Sequence, residues 1–221
     1  MILATLLAVT ALPDGEKLTA GTACYAIMRD ASVIGATWQS VRSTEVAGEP
    51  AWDIVVHQRV GAAFDLRDHF VLARKDLRPI AFDNRKLGKE YVSLRYANGW
   101  ITGSRMEKDG VVPVDLAAPA QVWEGNLWGL TFGALPLAQG GEYALPFYQY
   151  DKGFGTFTLK VTGSDIVETP AGKVDAWTVD VATSADRLVT YLIGKANGTE
   201  LGSRAPGFST RLGGDCSGLE A

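Results

Sequence analysis

Several things are scarce in this chain of 221 residues. It has two cysteines and two histidines, so a conventional zinc site would need nearly all of them to converge, and no metal is expected. It has no cationic excess: 21 Lys and Arg stand against 25 Asp and Glu, a net charge of −4. Nucleic-acid binders carry a basic footprint, so nucleic acid is not an expected partner. No long apolar run occurs. The longest, Met1 to Pro13, falls short of the ~20 residues a spanning helix needs, so no transmembrane span is expected. No Ser-rich, Pro-rich or single-sign stretch marks a linker, and no internal repeat is visible. Catalytic signatures are missing as well. Gly207-Phe208-Ser209-Thr210-Arg211 fails as a nucleophile elbow at its last place. Gly153-Phe154-Gly155-Thr156 lacks the third glycine of a dinucleotide loop and opens a strand rather than a helix. No catalytic residue and no cofactor is assigned.

What the chain does have is glycine and aromatic residues: 25 Gly, 6 Trp, 7 Tyr and 8 Phe. Asn98-Gly99, Asp109-Gly110 and Asn197-Gly198 are dipeptides suited to two-residue hairpins whose central residues need positive φ. Thr169-Pro170-Ala171-Gly172 is a further turn. Between the turns apolar and polar residues alternate. Trp52, Ile54, Val56 and Val60 oppose Asp53, His57 and Arg59; Phe64, Leu66, Phe70 and Leu72 oppose Asp65, Arg67 and His69. Ile34, Ala36 and Trp38 share one side of an earlier strand, and Phe82 belongs to a later one. A period of two gives each strand one apolar face. The expected fold is mainly β: one large antiparallel curved sheet of about 11–12 strands, an open half-barrel or a barrel.

Residues 121–136 break the alternation. Asn126 is a candidate N-cap and Pro136 a stop, and the residues between are apolar all round. This predicts a short buried helix or helical loop in the mouth of the curled sheet. Gly129 and Gly133, four apart, allow close approach to another surface.

The N-terminal run has the length of a secretory h-region, with Val9-Thr10-Ala11 as a cleavage site, although no Lys or Arg precedes Lys17. Residues 1–13 are read as a signal peptide or an apolar first strand, and 14–221 as one domain. Export would place Cys24 and Cys216 in an oxidising compartment, where they could bond. The alternative is one packed and one exposed thiol.

The inward faces collect large apolar side chains: Trp38, Trp52, Phe64, Phe70 and Phe82, with Trp128 and Phe132 on the helical segment. Asp68 falls among them, where a carboxylate must be paired, hydrogen-bonded or protonated. These eight residues are the candidate lining of an apolar ligand cavity. The expected function is non-enzymatic: an exported protein holding a lipid, acyl chain or other apolar molecule in the hollow of its sheet. One alternative is an envelope adaptor that binds another protein. A third is a hydrolase or isomerase using Asp68 with His57 or His69.

Leu135-Pro136-Leu137, Tyr143-Ala144-Leu145-Pro146 and the run Val167-Glu168-Thr169-Pro170-Ala171-Gly172, followed by the strand through Trp177, resemble a bacterial envelope family of unknown function. Tyr191-Leu192-Ile193-Gly194-Lys195 sits where that family's last strand would be, and Arg67 to Leu72 with Leu77-Arg78-Pro79-Ile80 fits its middle strands. Such domains are similar to the open half-barrels of periplasmic lipoprotein carriers, which hold acyl chains in an apolar hollow. That resemblance implies a half-barrel and a carrier-like role, and carries over no catalytic residue.

Overall fold

The computed structural model describes residues 12–184 and 187–219. The Met1–Ala11 segment, expected as a signal or first strand, lies outside the described residues. A single 3-10 turn (Gly15–Lys17) leads into β1 (Gly21–Arg29), β2 (Ser32–Val46), β3 (Glu49–Val60), β4 (Phe64–Ala73) and β5 (Pro79–Lys86). Then come β6 (Lys89–Ala97), β7 (Trp100–Glu107), β8 (Gly110–Ala117), the two-residue β9 (Trp123–Glu124) and the five-residue helix α1 (Gly129–Gly133). The remainder is β10 (Glu142–Gln149), β11 (Gly153–Thr169), β12 (Gly172–Ser184), β13 (Arg187–Gly194), β14 (Glu200–Ala205) and β15 (Phe208–Leu212).

All fifteen strands of the described residues form one sheet, in the order β8-β7-β6-β5-β4-β3-β2-β1-β15-β14-β13-β12-β11-β10-β9. Neighbours are antiparallel except β9 and β10. The two ends of the order do not pair, so the sheet is curved and unclosed. One apolar cluster joins its halves: Trp52, Phe70, Phe82 and Leu94 come from β3–β6, and Tyr148, Phe157 and Val179 from β10–β12. The sheet is therefore bent until its concave face packs on itself. Each fully buried Phe or Leu contributes about 1.5–3 kcal/mol.

The sheet has more strands than the alternation predicts. β8 carries Pro113, β9 is too short for any period, and β14 (Glu-Leu-Gly-Ser-Arg-Ala) is nearly without apolar residues. Turn chemistry is local and reads better. Asn98 and Gly99 have φ of 51° and 76°, the positive pair a type I′ turn requires. Asp109-Gly110 differs: the tip is Lys108-Asp109, and Gly110 already pairs with Glu107.

Residues 121–136 form less helix than expected. Asn126 does not cap α1; Trp128 occupies the N-cap position, without a side-chain cap bond. The two glycines do permit close approach. A Cβ at Gly133 would lie 1.9 Å from the Gly198 carbonyl oxygen, and one at Gly129 would overlap the Glu200 carboxylate. α1 thus lies flat against β13 and β14.

Because the chain runs mostly as a meander, turns alternate between the two ends of the sheet. One end carries α1, the 3-10 turn and the 194–200 loop. The other is a rim of tight turns, with Arg29 of β1 pairing with Phe208 of β15 where they meet.

Candidate functional site

The expected hollow is filled with side chains where the candidate lining residues meet. Phe70, Phe82 and Phe132 are 0% exposed and Trp52 is 2%, so no water-sized void touches the phenyl rings. Phe70 stacks obliquely on Phe82, with centroids 5.1 Å apart, and Phe132 meets Phe157 edge-on at 5.4 Å. Phe64 stands 44% exposed at the rim, at the first residue of β4. Trp38 pairs with His57 across β2 and β3 and so occupies the convex face, where it packs on Val55 and Leu219. Its strand alternates in the opposite phase to β3, and one strand's periodicity does not say which face is inside. Trp128 alone among the eight borders a cavity described below.

Asp68 is buried on the concave face, where the Asn84 side-chain amide donates to it. Burial pushes its carboxyl up to about 6, partly offset by the Asn84 bond and the nearby Lys86 charge. His57 and His69 fall on the opposite face, because His57 pairs with Arg67 and His69 with Val55, each one step out of phase with Asp68. The Asp68–histidine arrangement is therefore not formed. Asp68 neighbours instead a second buried acid, Glu124 of β9. Glu124 accepts hydrogen bonds from Tyr96 Oη at 2.6 Å and from both the backbone and side chain of Asn126. Burial raises it to about 7 against those bonds.

A third acid, Glu200, opens β14 under α1. It borders two cavities, of about 180 and about 220 Å³, that are open to solvent. The larger is lined by Tyr25, Thr37, Gln39 and Gln58 from β1–β3, by Tyr191 of β13 and by Asn126 and Trp128 ahead of α1. Burial raises Glu200 to about 7. Among the described residues nothing donates to its carboxylate, and Thr37 Oγ1 has no hydrogen-bond partner although Thr37 is 6% exposed.

The convex face is organised by charge. Asp65 accepts from Arg59 Nε at 2.7 Å and lies 3.0 Å from His57 Nε2. His69 Nε2 is 2.9 Å from Asp53, and Asp83 accepts from Ser93 and Arg95. Residues 213–219 lie across this face. A disulfide joins Cys24 to Cys216, with Cα atoms 5.8 Å apart. His57 Nδ1 is 2.8 Å from the Leu219 carbonyl, and Arg59 donates to that of Gly218. Among the described residues no group of three or more His, Cys, Asp or Glu is arranged to hold a metal, and no helix is long and apolar enough to cross a membrane.

Glu124 and Glu200 went unnoticed in the sequence for different reasons. Glu124 had a signal: it is a lone carboxylate in the run Val122-Trp123-Glu124-Gly125, where Asp68-type reasoning applies. Glu200 had none, because the groups around it, Gly129 of α1 and Tyr25 and Tyr191 of the sheet, come from segments far apart in the chain.

No curated protein and no solved structure matches the chain. Residues 25–205, from β1 through β14, match the family described as "Protein of unknown function (DUF3108)". That span carries the curved sheet, both buried acids beside β9 and the cleft under α1, and the chain belongs to this family.

Proposed function

We propose that this protein is an exported, non-enzymatic module that engages lipid, and that it does so with the rim of its sheet rather than with an internal hollow. The observation that carries this reading is the distribution of exposed apolar side chains. Twelve large ones are exposed among the described residues; seven lie in the rim turns or within two residues of them, and an eighth, Leu188, lies at the rim end of β13. Val33 and Phe208 stand on neighbouring turns beside Arg29, whose guanidinium lies 4.9 Å from the Phe208 ring centroid. Phe64 and Leu87 come next along the sheet, with Lys86 and Lys89 close to Leu87; Met106 and Val111 stand on either side of the turn Glu107-Lys108-Asp109-Gly110. Phe154 and Leu188 complete the series on the other half.

Single apolar tips separated by long cationic stems suit an acyl–headgroup boundary, which adapts its shape to them and lets the ammonium and guanidinium ends reach water. The Cys24–Cys216 bond supports export, since such bonds persist in oxidising compartments. The analogy to lipoprotein-carrier half-barrels supports a periplasmic, lipid-related role at the level of fold alone.

Flotation with phosphatidylcholine–phosphatidylglycerol vesicles tests the proposal. The mature chain should float with the vesicles, and the triple variant Phe64→Ser, Leu87→Ser, Phe208→Ser should stay behind with unchanged thermal stability. Absence of the wild type from the vesicle fraction would overturn it.

A protein-adaptor reading has one observation of its own. β8 ends the sheet, pairs only with β7 among the described residues, and shows Val111 and Leu116 to solvent. Pro113 in its middle removes one donor from that edge. Capture of a strand-forming partner that is lost on Val111→Lys would favour this second reading.

A further inference from the structure

The larger cleft under α1 differs from the rest of the concave face in being open, polar and carrying an uncompensated acid. Its volume is about 220 Å³, and none of its lining residues is Lys, Arg or His. The rings of Trp128 and Tyr191 stand 6.2 Å apart, centroid to centroid, and Tyr25 also lines the cleft. The Trp128 indole N–H is already spent on the Gly125 carbonyl and Tyr25 Oη on the Glu200 carbonyl, so both residues offer the cleft mainly their rings. The Glu200 carboxylate lies against the Gly129 backbone, in space that any side chain there would take. Thr37 Oγ1, almost completely buried and without a partner, is a second sign that something polar belongs here.

We propose that this cleft binds a small organic ammonium ion, with the Glu200 carboxylate as its counter-ion and the rings of Trp128, Tyr191 and Tyr25 around its alkyl groups. Aromatic rings attract such cations through their negative faces, most strongly where water is excluded. An anion would meet Glu200 unfavourably. A hard metal ion would need several close oxygen ligands, and no three-acid group is present among the described residues. A neutral polyol could not neutralise the carboxylate in its ionised form.

Ionisation is coupled to occupancy. The groups that face Glu200 are the phenols of Tyr25 and Tyr191, whose own ionisation its charge disfavours. Lys17, which borders the adjoining cavity, donates to the Leu135 carbonyl. Glu200 is held up to about 7 by burial, so it is largely protonated in the empty cleft at pH 6. A bound cation expels that proton to solvent. The site lies at the α1 end, away from the lipid-binding rim proposed above, and does not depend on it.

Calorimetric titration of the intact protein with choline, and separately with its uncharged isostere 3,3-dimethylbutan-1-ol, tests the proposal. Choline should bind saturably at pH 8, and about tenfold more weakly at pH 6, where binding should also release a proton and its heat should follow the buffer's ionisation heat. The isostere should bind at least about tenfold more weakly than choline. Glu200→Gln should remove both the choline preference and the pH dependence. Trp128→Leu should weaken choline at both pH values while leaving its pH dependence in place. Equal binding of choline and isostere by the wild type overturns the proposal whether or not the variants fold. So does a wild type without saturable choline binding up to about 50 mM, or a folded Glu200→Gln protein that still prefers choline.

Discussion

The two faces of the sheet treat the same functional group in opposite ways. On the concave face Asp68 and Glu124 are stripped of water, Glu200 is partly so, and all three lean toward their neutral forms. On the convex face Asp65, between Arg59 and His57, is held below the usual carboxylate range although burial pulls the other way. The sequence neighbourhoods do not distinguish them: Asp65 and Asp68 are three residues apart on one strand. An odd separation on a strand reverses the face. Curvature then decides that one face is sealed against the opposite half of the sheet while the other is left to water and a short C-terminal strap.

The largest expected effect comes from hollowing out the sealed face. Phe82→Ala removes a ring in contact with Phe70 and Tyr150 and should cost about 3–5 kcal/mol in denaturant unfolding. Phe64→Ala, on the same strand face but at the rim, should cost well under about 1 kcal/mol. Comparable losses would mean that the rim is packed as tightly as the centre.

Next is the strap. Replacing Cys24 and Cys216 by Ser opens a loop of 192 residues. Chain-entropy arguments assign such a closure about 5 kcal/mol and removals of native bridges typically cost about 2–5 kcal/mol. The Trp38 surface should become accessible to acrylamide quenching, while the buried Trp52 should not. If quenching is unchanged, Leu219, His57 and Arg59 hold the strap without the bond.

A smaller effect separates the faces by pH. For an acid raised on folding, stability is in place below its unfolded value and is withdrawn as pH climbs to the folded one. Glu124, raised from 4.5 to about 7, should therefore cost stability on the order of 3 kcal/mol between about pH 4.5 and 7. Glu124→Gln should flatten that slope in melts across the range. Asp65 works with the opposite sign: its contribution is present above the unfolded value and lost as pH falls through its lowered folded value. A bell-shaped stability profile, high near pH 4–5, would show both faces at once; a profile rising steadily to pH 7 would deny the buried acids their part.

How much of this was legible depended on the range of the physics involved. The Asn98-Gly99 turn needs only two residues with positive φ, and the dipeptide announces it. The alternation of Phe64, Leu66, Phe70 and Leu72 correctly put Asp68 with the apolar residues and both histidines with the polar ones. The same alternation misplaced Trp38. Its strand shows apolar residues on both sides, and only the pairing of Trp38 with His57 shows that the C-terminal strap, not the core, covers it. The expected ligand hollow failed for a related reason: aromatic residues facing inward fill a cavity as readily as they line one. The distance between the two halves of the sheet decides which.

By itself, then, the sequence determined a meander of antiparallel strands, the face to which most of their side chains turn, and a glycine-spaced helical turn that lies close to its neighbours. These follow from steric rules that act within a few residues. Tertiary structure alone decided that the concave face closes on itself, that Glu200 comes to line a cleft under α1 with no donor to its carboxylate among the described residues, and that the exposed apolar tips gather on one rim. Each depends on segments far apart in the chain meeting through curvature, which no local pattern encodes.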